Sequence, residues 1–250
     1  MHATLYVSDA SVNSYQSVSP WNKFDTIKRL SEYNPDEHHA LSQSAEINGI
    51  CYILIGKSRT AEVTKSQIKY SGDITIPETV EYEGFTYQVT QIGDNAFGGC
   101  YNLSSIKIPN SITRIGNYAF QDCNKLSSIV LPNSIQYIGE HAFLRCKGLS
   151  SVTLPDGITI IKSSTFLACS ALKSIIIPNS VTSLDDGVFY GCSALESVLL
   201  STNLTSMGTA CFYGCENLSS IVIPEKVTNI AYQTFYGCTN LKIIKIGGYL

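Results

Sequence analysis

The chain has 250 residues, a formal net charge of −3 and only 15% charged side chains. Proteins that hold nucleic acid carry basic patches, and this balance offers none. The longest apolar run, Ile50–Ile55, is far below the roughly 20 residues of a membrane-spanning helix, and no charged-then-apolar leader opens the chain.

Residues 1–45 read as an N-terminal strand plus short helices and a linker. Ala3–Val7 alternates apolar and polar residues like a strand. From Ser11 to Leu30 the apolar residues fall at roughly helical spacing, and Pro20 inside that stretch predicts two short helices with a break before Trp21. Ser31–Ala40 is polar and contains a proline, which reads as a linker.

Residues 46–91 read as a β-hairpin entry cap. Asn48-Gly49 stands between Ile47 and the Ile50–Ile55 run, and Glu83-Gly84 stands between Val80–Tyr82 and Phe85–Val89. Both are two-residue hairpin turns by composition. Cys51 is expected in the core of this cap.

From residue 92 to 250 one pattern governs the chain. Phenylalanine recurs every 23 residues at Phe97, Phe120, Phe143, Phe166, Phe189, Phe212 and Phe235, with a cysteine three places after each, from Cys100 to Cys238. A leucine follows three places later again, from Leu103 to Leu241. A fixed period of this length is the signature of a solenoid, whose stability resides in each repeat and its interface with the next. Within a repeat, Leu103-x-x-Ile106-x-Ile108 predicts one strand, ended by Pro109, which cannot donate to a ladder. Ile112-x-x-Ile115 predicts a second extended piece. Ala119-Phe120-x-x-Cys123 suits one helical or 3₁₀ turn that places Phe and Cys inside. The fold expected is a right-handed, β-rich α/β leucine-rich-repeat solenoid. The eighth copy stops before its own Phe and Cys, so the chain reads as a piece of a larger protein, with an uncapped edge through which copies could self-associate.

The signature Leu-x-x-Ile-x-Ile-Pro-x-x-Ile/Val-Thr-x-Ile-Gly-x-x-Ala-Phe-x-x-Cys resembles the BspA-like leucine-rich-repeat family from about Asp73 to Leu250. The 46–91 segment resembles the part that opens such arrays, and Ala3–Val7 with Trp21, Phe24 and Ile27 resembles the part that closes them. Residues 1–30 would then be the end of a preceding repeat block, or a cap acting on another molecule's open end. The resemblance implies a secreted or cell-surface protein of host-associated bacteria or parasitic protists. It also implies adhesion to host matrix proteins or cells.

No catalytic constellation is visible. Gly-x-Ser-x-Gly, phosphate-loop and His-Glu-x-x-His motifs are missing, so the chain is expected to be no enzyme and to need no cofactor. The cysteines lack Cys-x-x-Cys spacing and read as small buried hydrophobes rather than metal ligands or disulfides. Asp36-Glu-His-His39 reads as polar linker, and His141, alone in its column, as a surface substitution.

Two outward columns remain as candidates for binding. The residue after each phenylalanine becomes Tyr190, Tyr213 and Tyr236 in the last three full repeats, a stacked aromatic stripe that suits protein or glycan contact. The outward position of the first strand reads Lys107, Val130, Thr153, Ile176, Leu199, Val222, Lys245, beside a serine column from Ser105 to Ser220. Contiguous exposed apolar residues mark interaction sites. The expected partner is a host extracellular-matrix or cell-surface protein, or a glycan. The alternative is a structural spacer or targeting region of a multidomain protein.

Overall fold

The computed structural model describes residues 4–7, 26–29 and 42–247. They fall into two compact units, Met1–Ser42 with Ile55–Ser58, and Gln43–Leu54 with Arg59–Leu250.

In the smaller unit, Thr4–Val7 pairs in parallel with Thr26–Arg29, Thr4 opposite Thr26 and Val7 opposite Arg29. The strand at Thr4–Val7 is as the alternation predicts. Thr26–Arg29 is not the helix expected there. Its β-branched Thr26 and Ile27 suit a strand, and a single apolar residue among polar ones fits a period of two as well as 3.6. The other residues assigned to the two short helices, and Asp36–His39, lie outside the described residues.

The larger unit opens with two hairpins. Ser42–Ile47 and Ile50–Ile55 are joined by Asn48-Gly49, with φ of 51° and 77°. Thr79–Tyr82 pairs antiparallel with Phe85–Ile92 across Glu83-Gly84, with φ of 48° and 80°. Two successive left-handed residues make the type I′ turn that matches strand twist. One sheet runs Ser42–Ile47, Ile50–Ile55, Thr60–Val63, Phe85–Ile92, Arg114–Ile115, Tyr137–Ile138. It carries the cap directly into the second strands of the first repeats.

Each repeat then makes one coil. Leu103, Ile106 and Ile108 are buried, while Ser104, Ser105 and Lys107 face outward. The six phenylalanines from Phe97 to Phe212 are fully buried. Their rings stack with Phe235 in one file, centroids 5.2–5.7 Å apart. Burying each such ring contributes roughly 1.5–3 kcal/mol, and the file ties every coil to both neighbours.

The expected helical or 3₁₀ turn is realised as single turns, and no helix forms among the described residues. Gly98, Cys100 and Leu103 donate their amides locally to Asn95, Phe97 and Cys100, while Asn95, Phe97 and Gly99 donate to Asn117, Ala119 and Gln121 of the next coil. Alternate amides leave the turn, so local bonds never run on into a helix. One residue in four takes a left-handed conformation to aim them, as at Tyr118 (56°) and Asp122 (60°).

Candidate functional site

The parallel register places the outward residues of the first strands in one column. Val130 lies opposite Thr153, Ile176 opposite Leu199, and Val222 opposite Lys245. Val130, Ile176 and Leu199 are 69%, 66% and 64% exposed, and Val222 is half-buried. Thr153 interrupts the apolar run. The serine column beside it is small and, from Ser105 to Ser197, exposed, so it does not overhang the apolar side chains.

These strands do not form one continuous ladder. They pair two by two, with no ladder between Leu103–Lys107 and Ser128–Val130, between Ser151–Thr153 and Ser174–Ile176, or between Ser197–Leu199 and Ser220–Ile223. A groove of about 460 Å³ opens at the first break, flanked by Lys107 and Val130. A second of about 570 Å³ opens at the last, flanked by Leu199 and Val222 and bounded by Val198, Ile221 and Pro224. Val198 stands where Ile129, Ile175 and Ile221 fill the same inward position, and unlike them it is not fully buried. Val152 at the same position is likewise half-buried, and the first groove lies between Ile106 and Ile129, so the grooves follow the breaks in pairing rather than the size of the inward side chain.

The tyrosine column is also assembled. Tyr190 and Tyr213 stack with centroids 4.4 Å apart, and Tyr213 and Tyr236 at 5.0 Å. Leu144 and Leu167 continue it, half-buried. Stacking covers both faces of Tyr213 and one face each of Tyr190 and Tyr236, so that among the described residues only the end ring, Tyr236, is largely exposed. The column therefore closes the ridge between coils better than it offers a platform.

All nine cysteines are free thiols. Seven are buried, and each ladder thiol from Cys123 to Cys238 donates to the carbonyl of the phenylalanine 26 residues before it, at 2.9–3.2 Å. Burial pushes the thiols of Cys146 and Cys192 up to about 12, so both are neutral and unreactive at physiological pH. Among the described residues no group of metal-binding side chains is assembled, and no helix is long and apolar enough to cross a membrane.

Two residues are placed differently from their sequence reading. Cys51 is half-buried and faces away from the core, because Ile50, Tyr52 and Leu54 take the inward face of its strand. It lines an open trough of about 830 Å³ with Ile53, Lys65 and Tyr70. A run of six apolar residues gives no contrast between faces, so the alternation was hidden. His141 is half-buried, its ring 4.6 Å from Tyr118 and 13° from parallel. A 23-residue offset between two ring-bearing residues was the available signal.

Stacked parallel coils with a leucine-anchored strand and a buried Phe–Cys turn define a leucine-rich-repeat protein. The sequence matches the profile of the BspA type leucine rich repeat region, in 6 copies over residues 73–195 and 159–249, and the chain belongs to that family. It is similar to the crystal structure of a leucine rich cell surface protein from Faecalibacterium prausnitzii A2-165, at 32% identity and a TM-score of 0.72. That match covers 82% of this chain and 54% of the other, so the chain spans about half the length of that protein. It is also similar to a leucine rich repeat protein of T. pallidum, at 27% identity and a TM-score of 0.55, covering 81% and 82% of the two chains. No curated protein matches it.

Proposed function

We propose that the chain is a protein-binding module of a secreted or cell-surface protein and that it acts by contact, without catalysis. The observation that carries this is the column of Val130, Ile176 and Leu199, aliphatic side chains about two-thirds exposed on the outward face of a regular solenoid. Contiguous exposed apolar residues such as the neighbouring pair Ile176 and Leu199 mark interaction sites. Family membership and the likeness to a bacterial cell surface protein support a position outside the cell. The partner we infer is a host extracellular-matrix or cell-surface protein. The stacked tyrosines make a glycan the weaker choice.

The test is binding of a panel of matrix proteins and glycans to the immobilised chain, with Ile176, Leu199 and Val222 all changed to Ser. Protein binding lost in the triple variant supports the reading. Binding unchanged by it, but lost when Tyr190, Tyr213 and Tyr236 are removed, moves the site to the tyrosine column. No binding at all favours a spacer that holds other domains apart.

A further inference from the structure

Resting on the reading of the apolar column as a contact face, we propose that its occupant is an amphipathic α-helix of the partner, laid along the solenoid axis across the strands. The argument is one of spacing. Successive coils advance by about 4.8 Å where strands pair and by 5.2–5.7 Å along the phenylalanine file. An α-helix advances 5.4 Å per turn, so it returns one apolar side chain to each coil. An extended chain repeats the same face only every 6.6–6.8 Å or so, and slips out of step within two or three coils.

The grooves supply the second observation. The one flanked by Lys107 and Val130 and the one flanked by Leu199 and Val222 lie on the same face, four coils apart. Four coils amount to roughly 20 Å, or about 14 helical residues. Residues 14 apart complete two heptads and share a helix face. Two large apolar side chains at that spacing would seat in the two grooves, with smaller ones passing over Thr153 and Ile176. Lys107 is exposed at the rim of the first groove and has no ion-pair partner among the described residues. With Glu225 lining the second groove, it sets the polarity: an acidic residue of the helix belongs at the Lys107 end.

The probe is a library of random 18-residue peptides displayed on phage and selected on the immobilised 250-residue chain, with binders remade as free peptides. The expected binders carry apolar residues at i, i+3, i+4 and i+7, gain helical circular dichroism on binding, and lose at least tenfold in affinity with proline at their centre. Leu199→Asp should cost at least tenfold, and Leu199→Ser, tested beside it for an unchanged melting temperature, should cost less in the same direction. Lys107→Glu should reverse a preference for acid over base at one peptide end. Binders with a period of two that tolerate the central proline, yet fail on Leu199→Asp, overturn the helix and keep the contact face. Recovery of no binder, or of binders indifferent to Leu199→Asp, overturns both.

Discussion

Asn117 and Gly139 are coupled across two coils: the Asn117 carboxamide oxygen accepts the amide of Glu140 at 2.9 Å, and a methyl group on Gly139 would stand 2.6 Å from that oxygen. The same relation holds between Asp94 and Gly116, and between Asp186 and Gly208, whose neighbours Asn117 and Thr209 donate to the carboxylates at 2.7 Å. Where the first position holds Glu140, Ser163 or Thr209 instead, the residue 22 places on is Lys162, Asp185 or Ala231. Glycine appears where an Asp or Asn side chain reaches across. The second-strand ladder is interrupted between Tyr137–Ile138 and Ile160–Ile161, next to Lys162, which stands in the glycine's place.

Gly139→Ala should therefore destabilise the solenoid by about 1–3 kcal/mol, the usual cost of overpacking. Asn117→Ala should cost less, about 1 kcal/mol, because the Glu140 amide it leaves is at an exposed position where water can replace the bond. Preceding-coil backbone also lies within 2.6 Å of a methyl at Gly139. The double variant should thus recover only part of the loss. Chemical denaturation of the four proteins checks this, and full recovery in the double variant would place the strain on the side chain alone.

Left-handed positions give a prediction of opposite sign. Ala168 holds φ at 57° in a column that elsewhere contains Gly191 and Gly214, at 70° and 67°. An L-residue in that region costs roughly 1 kcal/mol, and glycine does not pay it. Ala168→Gly should leave stability unchanged or raise it by up to about 1 kcal/mol, since glycine's greater freedom when unfolded offsets part of the gain. Gly191→Ala should lower it by about 1 kcal/mol although a methyl there meets nothing closer than 3.8 Å. Melting temperatures of the two variants, compared with the parent, decide the sign.

The Phe, Cys and Leu columns were legible because each core position recurs at a fixed interval, and a period needs no knowledge of geometry. The outward column of Val130, Ile176 and Leu199 was legible for the same reason. The two-by-two pairing of the strands was not, because the same residue types recur in paired and unpaired neighbours: Ile175 pairs with Val198, whereas the strands of Ile106 and Ile129 do not pair. The Asn117–Gly139 relation was written in the sequence as a 22-residue offset, but its meaning requires knowing which backbone atoms approach. Thr26–Arg29 was misassigned because four residues with one apolar side chain satisfy two periods at once.

Stability should fall at alkaline pH. Cys146 and Cys192 are neutral in the folded chain up to about 12, whereas an unfolded thiol ionises near about 8.5. Their contribution is complete below the unfolded value and is lost progressively as pH rises from there toward the folded one. Denaturation midpoints between pH 7 and pH 11 should decline above roughly 8.5, and the decline should shrink when both residues are changed to Ala. An equal decline in the double variant would assign it to other groups.

Thiol accessibility gives a sharper reading of the same ladder. Cys51 and Cys238 are half-buried, while the seven others are buried and six of the ladder thiols are hydrogen-bonded to phenylalanine carbonyls. An aromatic disulfide reagent at neutral pH should label Cys51 and Cys238 promptly in the native chain. The buried thiols should react only at the rate at which coils open, because the thiolate is the nucleophile and burial suppresses it. That rate should be lowest for Cys146, Cys169 and Cys192, which have two or more coils on either side, and higher for Cys215, nearer the end of the described array. Mass spectrometry of peptides after timed labelling measures the order. Uniform labelling across the ladder would mean that the solenoid opens as one cooperative unit rather than coil by coil.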